Sequence, residues 1–546
     1  MPSVILRALA ALTLGLFVAV GLGCSPSDEA QAPPTTTAPS PAARATAPNI
    51  VLILADDLGY GDLGSYNPES KIPTPHIDAL AREGVRLVDA HSSASICTPS
   101  RYAIWTGTEP FRETRVSNSL QPLSPPALQD ETWTLPEVLR RAGYTTALVG
   151  KWHLGRRYTW KAGRQPVLHN VDWTGPLTDG PMQHGFDRFF GLARPAWAFL
   201  EDGVPLAAPT EEYDLGDVPE ELYGKRAGRG LRAPGFRFEQ VLPRYTAWAV
   251  DFIEQSAERD DPFFLAFAPA VPHTPIAPSA RFQGATPVGP YGDIVAELDD
   301  SVGQIAAALE RIGASDETLI VFTSDNGPET HAYERLRQTG HASMGPLRGA
   351  KHSLFEGGHR IPFIATWPGH IPAGAISSET LSLVDLMASF ASAAGTPLPA
   401  HAAPDSYDML PALTRAPESA PTAPIRNATF ASRGRRIVTR QDHWILLESG
   451  GGGRPEPLWF LAERGIVPSP HQVALFDLAN DLGQQHNVAE AHAERVEQLR
   501  AERKAAASAA GTAPKAGGAA AHIQVRGEGN NDLMAQVQEP RPIASP

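Results

Sequence analysis

The sequence predicts an α/β fold built on a large, mainly parallel β-sheet with helices on both faces. Three observations support this prediction. Continuous apolar runs of strand length alternate with amphipathic segments of helical period. Polar and charged residues cluster where several of the apolar runs end. The chain has 546 residues, enough for one large domain and a smaller companion.

The alternation starts at residue 49. The run NIVLILADD is apolar until it ends in two carboxylates, and HIDALAREGV after it has helical spacing. Three helix–strand pairs and a final strand follow: TLPEVLRRAGY with TTALVGKWH, YTAWAVDFIEQS with PFFLAFAPAVPH, IVAELDDSVGQIAAALERIG with TLIVFTSDNG, and then IPFIATWPG. Apolar strands separated by amphipathic helices indicate a largely parallel sheet that is covered on both faces.

The two ends of the chain have the composition of targeting and linker segments. Residues 1–24 combine Arg7, an apolar run and small residues before Cys24, which is the form of an export signal. The context of Cys24 resembles a bacterial lipoprotein processing site, although Gly21 stands where leucine is usual. An ordinary cleaved signal and an uncleaved anchor are the alternatives. We predict an exported protein, periplasmic or at the cell surface, that is lipid-anchored through Cys24.

Low-complexity segments adjoin both ends of the folded region. Residues 25–47 are rich in Pro, Thr and Ala and predict a disordered linker, and residues 505–546 are rich in Ala and Gly and predict a disordered tail. The net charge is −14, with 60 acidic and 46 basic side chains. This acidity argues against nucleic acid as a partner, because binding its phosphates requires a basic face. An anionic substrate still requires positive charge concentrated in a pocket.

Residues whose side chains are suited to catalysis or metal binding follow four of the predicted strands. In chain order they are Asp56 and Asp57, Lys151 and His153, His273, and Asp325 and Asn326. Taken alone, each of these residues is readily explained as a helix cap, a turn former or a surface residue. Because ligands bind beyond the carboxyl ends of parallel strands, we expect the four groups to converge on one edge of the sheet.

The residue types indicate a hard divalent cation and an oxyanion. Three carboxylates and an amide oxygen suit calcium or magnesium, whereas zinc would draw His or Cys ligands. The surrounding cationic candidates are Arg101, Lys151, His153, His273 and Lys351. Such a ring of positive charge around a metal binds a tetrahedral oxyanion. The sequence therefore predicts a site for a phosphate or sulfate ester.

Cys97 needs a separate explanation. Exported proteins normally use cysteines in disulfide pairs, and Cys97 has no partner once Cys24 is lipidated or removed. A buried free thiol that packs as a small hydrophobic group is the simplest interpretation. The polar run that follows, from Thr98 to Arg101, argues against a packed core at this position.

Two long motifs carry a resemblance to a known family. SICTPSRYAIWTG (95–107) and GYTTALVGKWHLG (143–155) resemble the two signatures of the type I, formylglycine-dependent sulfatases of the alkaline phosphatase superfamily. The resemblance covers about residues 48–400 through shorter motifs in the family's order: DDLGYGDLGSY, HGFDRFFG, PHTP, TSDNGP and GPLRGAKHSLFEGGHRIP. It implies an alkaline-phosphatase-like catalytic domain, here 48–424, and a small α+β subdomain with a four-stranded antiparallel sheet, here 425–504.

The resemblance also implies a role for Cys97. In such sulfatases this cysteine is oxidised to Cα-formylglycine by a maturation enzyme that recognises the flanking residues. One hydroxyl of the hydrated aldehyde attacks sulfur to give a covalent sulfate hemiacetal, and the second expels sulfate by re-forming the aldehyde. Asp56, Asp57, Asp325 and Asn326 then resemble calcium ligands, with the modified residue 97 completing the shell.

The remaining roles follow from the same resemblance. Arg101 and Lys151 resemble the pair that holds the hydrated aldehyde, and His153 resembles the base that takes the hemiacetal proton. His273 and Lys351 resemble the groups that hold the sulfate and protonate the leaving oxygen, with His273 as general acid. Lys351 lies among other basic residues, any of which is an alternative for its role: Arg348, His352, His359 and Arg360.

Taken together, the sequence predicts a sulfuric ester hydrolase for aryl sulfates or sulfated carbohydrates. Two alternatives stay open: a phosphate or phosphonate monoester hydrolase of the same superfamily, and a non-catalytic protein that binds sulfated glycans. Residues 156–244 are expected to form long loops over the site, where aromatic side chains either stack on a sugar or aryl ring or only pack the loops. The ring-bearing side chains concerned are those of Trp160, His169, Trp173, Trp197 and Tyr213.

Overall fold

A computed structural model describes residues 47–161, 168–216, 222, 228–416, 424–448, 455–467 and 472–509. The predicted signal with Cys24, residues 25–46 of the predicted linker, and residues 510–546 of the predicted tail lie outside these described residues. Among the described residues, no helix is both long enough and apolar enough to cross a membrane.

The described residues form three sheets. Their strands are β1 Asn49–Ala55, β2 Val85–His91, β3 Thr145–Gly150, β4 Arg188–Ala193, β5 Ala198–Glu201, β6 Val204–Pro205, β7 Glu211–Asp214, β8 Arg229–Arg232, β9 Phe263–Ala268, β10 Thr318–Ser324, β11 Arg360–Thr366, β12 Ala375–Ser377, β13 Leu381–Ser382, β14 Thr429–Arg433, β15 Arg436–Gln441, β16 Trp444–Glu448 and β17 Val473–Asp477. The largest sheet has 11 strands in the order β12-β2-β11-β10-β1-β9-β3-β4-β5-β6, with β13 also paired to β2.

Helices connect these strands. The α-helices are α1 Pro75–Glu83, α2 Cys97–Thr106, α3 Leu135–Arg141, α4 Val241–Ser256, α5 Pro290–Arg311, α6 Ala332–Thr339, α7 Leu386–Ala393, α8 Leu410–Leu413, α9 Leu458–Glu463 and α10 Ala493–Ala509. Short 3-10 helices span Pro110–Arg112, Thr114–Val116, Leu168–Asn170, Pro181–His184, Phe238–Gln240, Ser315–Glu317, Glu356–Gly358 and Leu383–Asp385.

The centre of the large sheet is parallel, as the apolar runs predict. Strand β1 pairs in parallel with β9 on one side and β10 on the other, and β9, β3 and β4 continue the parallel order. All residues of β1 from Ile50 to Ala55 are fully buried, because helices cover both faces. Strands β11 and β5 join antiparallel at the two sides. The predicted mixed, mainly parallel α/β sheet is therefore confirmed.

The region 156–244 differs from the expectation of long loops. It supplies strands β4 to β8, of which β4, β5 and β6 extend the large sheet. Trp197 is buried and its ring lies 4.8 Å from Phe238 and 6.0 Å from Phe236. Tyr213 is also buried, and its hydroxyl accepts a hydrogen bond of 2.6 Å from the Trp197 indole. These two aromatic side chains therefore pack the fold, and the side chain of His169 lies outside the described part.

The C-terminal part forms the expected four-stranded antiparallel sheet, in the order β14-β15-β16-β17. Leu446 and Leu475 on this sheet pack against Val496 and Leu499 of α10. Helix α10 continues to Ala509, five residues beyond the predicted domain boundary at residue 504. Alanine has the highest helix propensity, which explains why the Ala-rich stretch extends the helix before the tail begins.

The C-terminal sheet holds the segment that leads into Cys97. The backbone NH of Ser95 donates to the carbonyl of Ser432 in β14 (3.1 Å), and the NH of Ser432 donates to the carbonyl of Ser93 (3.0 Å). From β15, Arg440 donates to Asp89 at 2.6 Å and lies 2.9 Å from the Nε2 atom of His91. Two strands of the small sheet therefore hold the end of β2 and the segment between β2 and α2.

We predict that Arg440→Ala destabilises the protein by about 3 to 5 kcal/mol, because it leaves the buried Asp89 carboxylate without one of its cations. Urea unfolding of the purified variant measures the loss. The control is Arg435→Ala, which removes an exposed charge in the turn between β14 and β15 and is expected to cost less than about 0.5 kcal/mol. Equal midpoints for Arg440→Ala and wild type would contradict this role of the small sheet.

Candidate active site

The four residue groups that follow the central strands meet at one edge of the large sheet. Asp56 continues β1 by bridging to Pro272, and its carbonyl accepts a hydrogen bond of 3.0 Å from the backbone NH of His273. On the other side of β1, the backbone NH of Asp57 donates to a carboxylate oxygen of Asp325, just after β10 (3.3 Å). Lys151, just after β3, reaches the Asp56 carboxylate at 2.5 Å. The parallel order of the sheet thus brings these groups together.

The centre of this edge is acidic and completely buried. Asp56, Asp325 and Asn326 have no exposed surface, and Asp57 is 1% exposed. The Asn326 amide nitrogen donates to Asp57 at 2.7 Å, which leaves the Asn326 amide oxygen as an acceptor. That oxygen and the Oδ1 atom of Asp56 have no hydrogen-bond partner among the described residues. Buried oxygens without donors are the ligands that a hard cation such as calcium or magnesium requires, so the donor set fits such an ion.

Basic residues balance these carboxylates. The Arg101 guanidinium is fully buried and donates to Asp325 at 2.8 Å and to the Lys151 carbonyl at 2.7 Å. Lys351 donates to Asp57 at 2.7 Å. Three cationic side chains therefore lie directly against the acidic centre, which is the concentrated positive charge that an anionic substrate requires in an acidic protein.

Lys351, rather than a basic neighbour, reaches this centre. Its buried ammonium group lies between Asp57 and Cys97. Arg348 instead pairs with Glu456, Arg360 pairs with Glu356 and Asp89, and His359 contacts His91.

Cys97 is the first residue of α2 and lies beside the acidic centre. Its sulfur and one carboxylate oxygen each of Asp56 and Asp325 lie within 4.8 Å of one another, and its sulfur is 3.3 Å from the Lys351 ammonium. The expectation that its polar neighbours keep it out of the core was wrong: Cys97 is 2% exposed, and Thr98, Ser100 and Arg101 are fully buried. These neighbours can be buried because they have hydrogen-bond partners: Thr98 donates to the His153 carbonyl, Ser100 to the Ala94 carbonyl and Arg101 to Asp325.

His153 lies at the edge of the site in a strained conformation. Its φ angle is +63°, its Nε2 atom is 3.2 Å from the Leu120 carbonyl, and its own carbonyl accepts a hydrogen bond from Thr98. Its Nδ1 atom has no partner in the described part of the chain. Burial, with Lys151 and Arg101 nearby, holds the pKa of His153 well below its usual value. The imidazole is therefore neutral, and its Nδ1 is a candidate proton acceptor.

His273 has a different environment. Its Nδ1 atom is 2.6 Å from the Thr274 carbonyl, so Nδ1 carries a proton and Nε2 is directed to other partners. Nε2 lies 3.9 Å from a carboxylate oxygen of Asp57, and the side chain is 34% exposed at the opening of the site. Burial and the Lys351 ammonium lower the pKa of His273. The exposed ring nitrogen is the one that a bound substrate can reach.

Two carboxyl groups of the acidic centre have pKa values shifted in opposite directions. Burial raises the pKa of Asp56, but Lys151, His273 and Arg101 more than offset this and hold it well below the usual value. Burial and the neighbouring Asp56 carboxylate raise the pKa of Asp325 to about 7. One carboxyl group of the cluster thus tends to keep a proton, which a divalent cation would replace.

A second buried cluster was missed by the sequence analysis, because its members are far apart in the chain. His91, Glu356 and His359 bring potential metal ligands within 4.8 Å of one another. The Nδ1 atoms of His91 and His359 lie 3.1 Å apart, His91 Nε2 lies between Arg440 and the Asp89 carboxylate, and Glu356 Oε1 has no hydrogen-bond partner among the described residues. Burial lowers the pKa of His359 to about 3. The backbone NH of Ser92 donates to the His359 carbonyl (2.8 Å), so the cluster lies beneath the segment before Cys97.

Comparisons with known proteins identify a family model and relatives that match this chain. The family model described as "Sulfatase" matches residues 48–396. N-acetylgalactosamine-6-sulfatase of Mus musculus is 36% identical over 378 residues, which cover 67% of this chain and 66% of the mouse protein. The chain thus spans just under two thirds of that relative's length. N-acetylgalactosamine-6-O-sulfatase of Bacteroides thetaiotaomicron is 32% identical over 495 residues, which cover 83% of this chain and 91% of that protein.

A solved structure supports the same relationship. A Bacteroides thetaiotaomicron protein from work on the metabolism of multiple glycosaminoglycans superposes with a TM-score of 0.71 and 30% identity. The superposition covers 85% of this chain and 99% of that one. The shared fold therefore extends beyond the large sheet into the C-terminal sheet.

We predict that the unmodified Cys97 thiol resists alkylation in the folded protein. Burial raises its pKa to about 11, against the opposing effect of Lys151 and Lys351, so only about one thiol in a thousand is ionised at pH 8. Protein made without a maturation system is treated with iodoacetamide at pH 8, and the residue 97 peptide is quantified by mass spectrometry. Alkylation is expected only after unfolding in guanidinium chloride; rapid labelling of the folded protein would contradict the buried geometry.

Proposed function

This chain belongs to the sulfatase family, and from that premise we propose that it hydrolyses sulfate monoesters to an alcohol and inorganic sulfate. The observation that carries the proposal is the position of residue 97. It lies within the sequence CTPSR at the start of α2, against Lys351 and the acidic centre. A thiol with a raised pKa is a poor nucleophile there. We propose that Cys97 is converted to Cα-formylglycine.

The proposed modification resolves the mismatch between thiol and site. As its hydrate, formylglycine supplies one hydroxyl to attack sulfur and a second whose deprotonation releases sulfate. Lys351 and Lys151 are placed to bind the negatively charged oxygens around residue 97, because the Lys351 ammonium lies 3.3 Å from the Cys97 sulfur and both positive charges act on that thiol. Arg101 fixes Asp325 and the Lys151 backbone, so it positions both sides of the nucleophile.

Two histidines are suited to the proton transfers. His153 is neutral with a free Nδ1, so we propose that it accepts the proton of the second hydroxyl. His273 presents Nε2 at the opening of the site, and we propose that it protonates the leaving alcohol oxygen. A bound sulfate ester carries negative charge, which favours the protonated form of His273 that this role requires.

We propose calcium as the resident metal, held by Asp56, Asp57, Asp325, Asn326 and the modified residue 97. The carboxylates and the orphaned amide oxygen of Asn326 are the hard donors that calcium binds. Bound calcium would neutralise the buried carboxylates and lower the pKa of the nucleophilic hydroxyl. The Asp325 carboxyl, whose pKa is raised to about 7, is the one that would release a proton on binding.

We propose a sulfated carbohydrate as the substrate, because relatives from mouse and Bacteroides thetaiotaomicron are named for sulfate on N-acetylgalactosamine. Aryl sulfates serve as test substrates with a simple leaving group. We also propose that the N-terminal segment exports the protein to the periplasm or cell surface and anchors it there through a lipid on Cys24. A formylglycine-generating enzyme of the host is then a required partner during synthesis.

Protein from its own host is expected to carry the modification. The tryptic peptide from Leu87 to Arg101 should have a mass about 18 Da below the cysteine form, the difference between a thiol and an aldehyde side chain. Cys97→Ala, purified in parallel, should lose hydrolysis of 4-nitrophenyl sulfate by about 1,000-fold or more. Wild type should hydrolyse 4-nitrophenyl phosphate much more slowly than the sulfate. An active protein with an unmodified thiol, or a preference for phosphate, would refute the proposal.

Calcium is expected to stabilise the folded protein. Saturation at about 100 times the dissociation constant adds about 2.7 kcal/mol, which raises the Tm of EDTA-treated protein by several degrees. Asp325→Asn and Asp56→Asn should lose most of this increase, because each removes a charged oxygen from the centre. Asp316→Asn changes an exposed carboxylate before β10 and should keep the full increase. A calcium effect that survives in Asp325→Asn would place the ion elsewhere.

A further inference from the structure

A cavity of about 210 Å³ adjoins the candidate active site. Its lining includes Lys351 together with His331, Glu334, Pro455 and Pro457. Lys351 also contacts Asp57 and the Cys97 sulfur, at 2.7 and 3.3 Å. One side chain therefore borders both the reacting centre and the cavity. A group ester-linked to a sulfate at residue 97 can therefore extend past Lys351 into this cavity.

His331 is held at the wall of the cavity by the buried carboxylate of Glu329. Its Nδ1 atom lies 2.7 Å from Glu329, and that carboxylate also accepts a hydrogen bond of 2.9 Å from Arg335. Arg335 is itself held by stacking on the Tyr291 ring, 3.3 Å from its centroid. Among the described residues, His331 Nε2 has no hydrogen-bond partner. Glu329 thus orients the ring through Nδ1–H, so Nε2 accepts a hydrogen bond in the neutral ring and donates one in the imidazolium.

Glu334, in the first turn of α6, provides an acceptor in the same cavity. The cavity has no excess positive charge: Glu329 pairs with Arg335, Lys351 pairs with Asp57, and Glu334 faces His331, whose pKa is raised by the Glu329 hydrogen bond. Such a cavity does not favour a second anionic group. A donor and an acceptor held side by side match the hydroxyl groups of a sugar instead.

We propose that this cavity binds the single sugar ring that carries the sulfate, with His331 donating to one ring hydroxyl and Glu334 accepting from another. This inference rests on the proposed sulfatase function and specifies its substrate class. The volume lies below the roughly 300 Å³ at which drug-sized ligand pockets begin, so it holds one pyranose ring. Pro455 and Pro457 provide an apolar wall for the C–H face of that ring. The enzyme should therefore act on monosaccharides and chain-terminal sugars.

The test compares two substrates that share the sulfate and differ in the leaving group. For His331→Gln and Glu334→Gln, kcat/KM for N-acetylgalactosamine 6-sulfate or galactose 6-sulfate should fall about tenfold or more, the effect of one lost hydrogen bond to a charged group. For 4-nitrophenyl sulfate, which lacks ring hydroxyls, kcat/KM should change less than about twofold. Gln338→Ala, an exposed change on the same helix, should alter neither value.

Equal losses on the sugar and aryl substrates would overturn the proposal, since they would indicate a general catalytic or structural role. Unchanged values on both substrates would overturn it as well.

A binding measurement separates this inference from the proposed reaction. Calorimetric titration of Cys97→Ala with the same two sulfated monosaccharides requires no turnover. Binding that weakens about tenfold in Cys97→Ala/His331→Gln supports the sugar site even when wild type hydrolyses no sulfate ester, in which case only the proposed reaction fails. No binding of either sugar, or equal binding by the single and double variants, would refute the sugar site while leaving hydrolysis of aryl sulfates unaffected.

Discussion

The structure depends on the burial of several carboxylates at one edge of the large sheet. Two carboxylates less than 4.8 Å apart repel by about 3 kcal/mol or more in a protein interior. Arg101, Lys151 and Lys351 offset this repulsion, and each comes from a different part of the chain. Helix α2, strand β3 and the loop before β11 must therefore be in place together. The same charge balance that permits folding also creates a binding site for a cation and an anion.

The C-terminal sheet has a direct part in this arrangement. The segment between β2 and α2 is held by backbone hydrogen bonds to Ser432 and by Arg440 beneath it. A nucleophile must be kept within a fraction of an ångström of its working position, and rigid neighbours achieve this better than a free loop does. The small sheet thus supports the nucleophile, although it contributes none of the residues at the acidic centre.

The sequence alone was sufficient to predict strands that show a local apolar pattern and polar residues that follow the end of a strand. Apolar runs identified the parallel strands, and the rule for strand ends placed Asp56, Lys151, His273 and Asp325 at one edge. It could not predict that the polar run after Cys97 is buried, because its partners, such as Asp325, lie more than 200 residues away. The strands within 156–244 were missed because they are short. Strand β4 pairs with β3, the others pair with neighbours in the same region, and aromatic packing stabilises them, which no local period reveals.

The difference between residues held by the buried sheet and residues on surface segments explains how one fold can serve different substrates. Asp56, Lys151 and Asp325 lie at the ends of buried strands, where a change disturbs the sheet and the charge balance together. His331 and Glu334 lie instead on α6 and the turn before it, and the prolines opposite come from the chain preceding α9. Surface segments of this kind can change without moving Asp56 or Cys97. Selection for a new sugar would therefore act on this wall of the cavity. Substitutions at the acidic centre would instead upset its charge balance.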